Sequence, residues 1–259
     1  MLRLTIKRMF LISLLVGVLS EVRATSLLIN QHNPTSIYGY GLSFWDNMSA
    51  ALDSAFEPGN ITVSNALLDD LGLLMTFDRL WITARTFGDP GLSATEQANL
   101  AAFIATGRRV AVIGENNNWT AWNNSILAPV GGAYSGTDTS APLTPVLGHP
   151  ITAGITTLRT GGDGIALGGT PLFHINVVTL WGAQLNVLSL LSVNVIDDSI
   201  GNTANNLLFE TNLARWLAAP EPSSVILFGS GAIAVFWAAR RRRLAKCASI
   251  LALAVALSH

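Results

Sequence analysis

The sequence predicts an α/β domain, a three-layer sandwich in which helices cover both faces of a mostly parallel sheet. Three observations predict it. Short apolar runs at Ser26–Asn30, Ile61–Ser64, Asp78–Ala84 and Arg109–Gly114 alternate with segments of helical spacing. That alternation is the order a parallel sheet with covering helices requires. The run RVAVIG at Arg109–Gly114 is apolar throughout its interior, as strands covered on both faces are. Ser93-Ala-Thr-Glu96 forms a capping box between the third and fourth strand runs, where a crossover helix has to begin.

Each element has a local cause. Ser26–Asn30 (SLLIN) is a short apolar run suited to a buried strand, and a polar loop follows from Gln31 to Gly41. Ser43–Phe56 places Phe44, Met48, Ala51, Leu52 and Ala55 on one helical face. Ser43 with Asp46 resembles a capping box at its start, and Pro58-Gly59 ends it. Ile61–Ser64 and Asp78–Ala84 are the next strands. The helix opened by Ser93 turns Leu100, Phe103 and Ile104 inward and stops at Gly107. Trp119–Leu127 is a short helix. Gly131–Pro150, rich in Gly, Thr, Ser and Pro, is expected to be loop. Gly161–Gly169 gives a turn and a short strand, and Val177–Ala183 and Leu185–Asp197 the last strands. Asn206–Leu217 closes the domain as a helix with Phe209, Leu213, Trp216 and Leu217 inward.

The two ends read differently from the middle. Met1–Ala24 has Arg3, Lys7 and Arg8 ahead of an apolar Met9–Leu19, with Val22 and Ala24 at the −3 and −1 positions. This is the pattern of a secretory signal peptide cleaved after Ala24, the alternative being an uncleaved N-terminal anchor. At the other end, Pro220-Glu221-Pro222 breaks the preceding helix. An uncharged run, Val225–Ala239, follows, and then the block Arg240, Arg241, Arg242 and Arg243. The run reads as a C-terminal transmembrane helix, with the arginines on the cytoplasmic side. Leu244–His259 is a largely apolar tail with no assigned role.

The chain has 259 residues, half of them hydrophobic and 12% charged. Residues 25–219 carry 14 Asp+Glu against six Arg and no Lys, a balance of −8. A domain so acidic lacks the basic patch that a nucleic-acid partner needs. The single cysteine, Cys247, lies beyond the arginines, so the exported part has neither disulfide nor thiol.

Motif, apolar run and arginine block, in that order over 220–243, resemble the PEP-CTERM sorting signal of Gram-negative bacteria that make exopolysaccharide. The resemblance implies export, transient membrane anchoring by the C-terminus, and delivery to the cell surface or matrix. It also implies cutting by an exosortase at or near Pro220, Glu221 and Pro222, with Arg240, Arg241, Arg242 and Arg243 as the membrane stop. An ordinary C-terminal anchor is the alternative. Between Ser26 and Ala218, the strand VAVIG after the capped helix, the segment GHPITAGI and the closing helix NNLLFETNLARWL resemble the class I glutamine amidotransferase-like, flavodoxin-like fold. In that family a catalytic cysteine sits in the sharp turn after the strand that matches VAVIG. Here the turn reads Gly114-Glu115-Asn116-Asn117-Asn118, with neither cysteine nor serine. The resemblance therefore implies the fold without the activity.

What remains points to binding. The stretch NNNWTAWNN, Asn116–Asn124, sets Trp119 and Trp122 among asparagines at the carboxyl end of a strand, where open α/β sheets bind ligands. Tryptophan faces stack on sugar rings and amides pair with hydroxyls, so an exopolysaccharide is the candidate partner. At i, i+3 the two rings equally suit a helix core. Glu115, Asn116, Trp119, Trp122 and His149 are the candidate ligand-binding residues. An enzyme of unknown hydrolase type using Glu115 with His149 is the second hypothesis, and it requires the two to converge. His32, His149 and His174 have no partner at metal-ligand spacing. The pairs Asp69-Asp70 and Asp197-Asp198 suit turns and helix caps better than calcium. No metal, cofactor or catalytic residue is indicated.

Overall fold

The computed structural model describes residues 25–31, 38–83, 90–138 and 142–220. The expected signal peptide, His32, most of the sorting segment and the tail lie outside the described residues. The chain divides after Ala218, and all elements described here belong to the first unit.

The described strands are β1 (Leu27–Asn30), β2 (Ile61–Ser64), β3 (Arg79–Ile82), β4 (Val110–Ile113), β5 (Ala133–Asp138), β6 (Asp163–Leu167), β7 (Thr170–Pro171), β8 (Val178–Trp181) and β9 (Val187–Leu190). Seven of them form one sheet in the spatial order β2-β1-β3-β4-β9-β8-β7. From β2 to β9 all pairings are parallel, and β8 and β7 add an antiparallel margin. With β9 counted as the fifth strand, the parallel part runs 2-1-3-4-5, the flavodoxin-like order. Every residue of β1, β3, β4, β8 and β9 is buried. An apolar, β-branched sequence such as VAVI suits such a position.

Alternation along the strands sorts the core into two clusters. Leu27, Ile29, Trp81, Ala111, Ile113, Leu188 and Leu190 face one way, toward α1 (Asp46–Phe56) and α5 (Ala204–Ala218). Leu28, Leu80, Ile82, Val110, Val112 and Val187 face the other, toward α3 (Ala94–Ala105) and α4 (Thr120–Leu127). The sheet is thus covered on both faces. The Ser93–Glu96 capping box is present as expected. A short helix, α2 (Leu71–Leu74), carries no periodic signal; Asp70 caps it by accepting from the Leu73 N–H at 2.9 Å.

Three sequence expectations are corrected. Gly131–Pro150 is not all loop: Ala133–Asp138 is strand β5, paired antiparallel with β6 in a separate two-stranded sheet. The expected strand Leu185–Asp197 ends at Leu190, and a 3₁₀ turn follows at Val193–Val195. Ser43 does not cap α1. Trp45 holds the N-cap position without a side-chain bond, and the cap comes from far along the chain. Asp198 accepts from the Asp46 N–H at 2.7 Å and the Asn47 N–H at 3.3 Å, and from Asn47 Nδ2 at 2.6 Å. A carboxylate there satisfies orphan amides and complements the helix dipole.

Two arginines serve the other end of the helical layer. Arg79, only 2% exposed, donates Nε to the Leu217 carbonyl at 2.7 Å, and Arg109 donates to Trp216 O while lying 5.2 Å above the Trp216 ring. Both meet carbonyls that the last turn of α5 leaves unpaired. Replacing Asp198 by alanine should cost about 1–2 kcal/mol, as loss of an N-cap does. Ser43→Ala should stay within about 0.5 kcal/mol, the usual range for a site outside such features. Urea unfolding of the two variants reads the difference.

Candidate functional site

The turn after β4 is built by α4 and β6. At Gly114 an added Cβ would collide with the Asn123 side chain and lie 2.7 Å from Leu191 Cδ2. Asn123, fully buried, accepts from the Glu115 N–H at 3.1 Å and donates Nδ2 to the Glu115 carbonyl at 2.5 Å. On the other side Gly164 of β6 approaches so closely that a Cβ would sit 2.5 Å from Glu115 O and 2.9 Å from Tyr134 Cε2. The elbow is therefore fixed from both sides.

Glu115 is 4% exposed, and both its oxygens are engaged. Oε2 accepts from the Val193 N–H at 2.7 Å and Oε1 from Asn116 Nδ2 at 3.2 Å. Burial pushes its carboxyl up to about 7; the hydrogen bonds oppose the rise, and the charges of Asp163 and Asp197 add to it. Asp163 is itself buried and raised, chiefly by desolvation. It accepts from Thr160 Oγ1, which lies 3.2 Å from Ser192 Oγ. Asp197 Oδ1 accepts from the Ser199 N–H at 2.6 Å. Two phenols flank this acidic group. Tyr38 is raised by burial, then by Asp197 and Glu115, and is hydrogen-bonded to Asp197. Tyr134 is raised by burial and by Glu115, and its hydroxyl lies 2.9 Å from Thr137 Oγ1.

The ligand-binding residues named from the sequence separate into three places. Glu115 and Asn116 form the elbow. Trp122 is a core residue: it is fully buried and donates Nε1 to the Ile113 carbonyl at 2.9 Å. A ring so placed has no face for a ligand, which corrects its assignment to a binding platform. Trp119 is half-buried against the α3/α4 cluster. His149 does not meet Glu115. It caps the 3₁₀ turn Pro150–Thr152, with Nδ1 accepting from the Ile151 N–H at 3.2 Å. Burial lowers its value first, and Arg109 second. Arg109 precedes β4 and Glu115 follows it, which sets them about 20 Å apart at ~3.3 Å per strand residue. The convergence required of a Glu115–His149 enzyme is absent. His174 Nδ1 accepts from the Thr144 N–H at 3.0 Å, another local turn bond.

Sequence reasoning missed Tyr38, Tyr134, Thr137 and Asp163. The β5–β6 pair brings three of them in: the Asn117 N–H donates to Thr137 Oγ1 at 2.8 Å, and the Tyr134 N–H to Asn124 Oδ1 at 3.0 Å. Position past a parallel strand gives no signal for them, since Tyr134, Thr137 and Asp163 lie on the antiparallel β5–β6 pair. Among the described residues no group of three His, Cys, Asp or Glu is placed to hold a metal ion. Chemically, the elbow presents neither cysteine nor serine. It offers a proton-holding carboxyl locked to the backbone, and beside it an amide, hydroxyl and aromatic rim.

The C-terminal order of motif, apolar run and arginines matches one family over its whole extent. Residues 218–243 are a PEP-CTERM protein-sorting motif. Of the processing residues read from the sequence, Pro220 is described, and exposed. Glu221, Pro222, Arg240, Arg241, Arg242 and Arg243 lie outside the described residues, so their part in the PEP-CTERM signal rests on the motif itself. Among the described residues no helix is long and apolar enough to cross a membrane. No curated protein matches the chain. Solved structures similar to the domain ahead of the PEP-CTERM motif include a GMP synthase subunit from Thermoplasma acidophilum, with TM-score 0.44 and 9% identity over 76% of this chain and 96% of that one. A ThuA-like protein from Parabacteroides merdae has TM-score 0.45 and 11% identity over 76% and 90%. Alpha-L-fucosidase isoenzyme 2 from Paenibacillus thiaminolyticus has TM-score 0.44 and 13% identity over 74% and 33%. Identities this low say nothing of activity.

The elbow has a pH signature. Between the ordinary carboxylate value and about 7 the native Glu115 keeps a proton that the unfolded chain gives up, so its contribution to stability falls as pH rises through that window. Glu115→Gln, which keeps an acceptor for Val193 N–H, should raise the melting temperature at pH 8 and leave it unchanged at pH 4. Trp122→Ala should cost about 3–5 kcal/mol in chemical denaturation, as a buried tryptophan does. Trp119→Ala should cost much less.

Proposed function

We propose that this is an exported, exosortase-processed protein whose α/β domain binds or builds at the cell surface or in an exopolysaccharide matrix, without catalysis. The sorting motif marks an exosortase substrate. The observation that carries the non-catalytic reading is the elbow. Where a hydrolase of this layout needs an exposed nucleophile, the chain has Glu115, buried and hydrogen-bonded to the Val193 backbone. The secretory leader at 1–24 and the membrane run at 225–239 belong to the same proposal.

The binding surface is the rim beside that elbow: Asn116, Asn117, Asn118 and Trp119 from the turn, with Tyr134 and Thr137 from β5. Asn117, Asn118 and Thr137 are exposed, and Trp119 and Tyr134 are half-buried. Amides, hydroxyls and aromatic faces in one strip suit the alternating hydroxyl and C–H faces of a sugar ring.

Two experiments test the two halves. Replacing Pro220-Glu221-Pro222 by alanines should leave an uncut, membrane-retained form on immunoblots of fractionated producer cells. A mature wild-type protein that still carries Arg240–Arg243 would establish the plain anchor instead. In co-sedimentation with the producer's own polysaccharide, Trp119→Ala should weaken binding roughly fivefold, since an aromatic contact is worth ~0.5–1.5 kcal/mol. Unchanged binding by a folded variant would remove the rim as the site.

A further inference from the structure

A groove of about 360 Å³ runs between α1 and α5, within the size range of small-molecule sites, roughly 300–1,000 Å³. Its walls are the methyl groups of Ala51 and Ala55 and the side chain of Leu207. Glu210, 2% exposed, also lines it and makes no hydrogen bond to any described residue. A carboxyl so largely covered by protein, and open only to the groove, is costly to ionise without a partner, and buried charges in proteins are normally paired. Neither the packing of α5 nor the elbow site uses this one.

The groups around it define the missing partner. α1 contributes no charge to the groove, only Asn47 and the exposed Ser54 hydroxyl among its polar groups. The charge that acts on Glu210 is a second carboxylate, Asp198, and burial together with Asp198 pushes the Glu210 carboxyl up to about 8. Arg215 lines the groove from five residues further along α5, about 7.5 Å along the axis. The charge that bears on the Glu210 carboxyl is that of Asp198, of like sign. Thr211 donates its hydroxyl to the Leu207 carbonyl at 3.0 Å and keeps its acceptor side for a ligand.

We propose that this groove is a site for a primary ammonium carried on a small hydroxylated molecule, an amino sugar being the simplest, with Glu210 as its counter-ion. The ammonium sits at Glu210, within the field of Asp198, while neighbouring hydroxyls pair with Ser54 and Thr211 and the ring lies on the alanine wall. The domain's balance of −8 draws such a cation in. The site is separate from the elbow rim and stands whether or not the rim binds polysaccharide. Binding has a signature in protons. At pH 7 the empty carboxyl, raised by burial, is largely protonated, and the complex pairs a carboxylate with an ammonium, so binding releases protons on balance.

The test is calorimetric titration of the full chain, purified in detergent micelles, with glucosamine, glucose and N-acetylglucosamine at pH 7 in two buffers of different ionisation enthalpy. The expected result is glucosamine binding at least tenfold tighter than either uncharged sugar, with a buffer-dependent enthalpy that shows net proton release. Glu210→Gln, neutral like the protonated acid, should abolish the preference and the proton release while the melting temperature at pH 6 stays unchanged. Equal affinity for the three sugars, absence of glucosamine binding, or binding without proton release would each overturn the proposal. Because the wild-type chain alone supplies both readouts, a variant that failed to fold would not protect the idea.

Discussion

Burial of the parallel strands on both faces is the constraint from which the rest of the domain follows. A strand such as Val110–Ile113, with every residue inside, can carry no charge along its length, so charge collects where the strands end. At the amino ends, Arg79 and Arg109 turn their guanidinium groups to the carbonyls of Leu217 and Trp216 and close the last turn of α5. At the carboxyl end of β4, Glu115 lies within the influence of Asp163 and Asp197. At the amino edge the two arginines serve a helix terminus while Asp78 accepts from Ser26, and at the carboxyl end of β4 the carboxyls hold loops. Asp198 extends the second pattern by fastening the segment after β9 to the first turn of α1.

This division explains why the elbow is rigid without being reactive. In a fold of this order the turn after the central strand exposes whatever residue stands there. Here Asn123 clamps both the N–H and the carbonyl of Glu115, Gly164 presses on its backbone, and the carboxylate reaches back to the Val193 N–H. The side chain points its hydrogen-bonding capacity into the structure, and the surface chemistry passes to the asparagines and aromatic residues beside it. Fold and activity part at this one turn.

How much of this the sequence discloses depends on the range of the interactions. RVAVIG, the Ser93–Glu96 box and the inward stripe of the last helix are signals written within a few residues, and the structure has them where local rules put them. The sorting motif is legible for the same reason, being linear. β5 was not legible because Ala-Tyr-Ser-Gly-Thr-Asp is half-exposed, contains a glycine at a bulge, and gains its strand form only by pairing with β6. The α1 cap was misread because Ser43 is near in sequence and Asp198 is near in space. Trp119 and Trp122 show the limit most directly. Helical spacing places two rings on one face, but only the structure shows that one donates to the Ile113 carbonyl inside the core while the other stays half-open. Tyr38, Tyr134 and Asp163 belong to three separate segments, and no local pattern joins them to Glu115.

Glu115 and Glu210 extend the same reasoning to what the fold tolerates. Both are acids held near neutral pH in protonated form by burial, at about 7 and about 8, and both reduce stability once the medium would ionise them. Glutamine or a small apolar residue would remove that cost, so each position has to be explained by something other than bulk stability. For Glu115 the explanation lies inside the fold, in the Val193 N–H it secures and the loop that bond positions. Glu210 has no such internal partner among the described residues, and its carboxyl borders a groove instead of a backbone amide. Two acids of similar burial and similar titration thus differ in the one respect that separates a structural role from a binding role, namely whether the partner that offsets desolvation is already part of the chain.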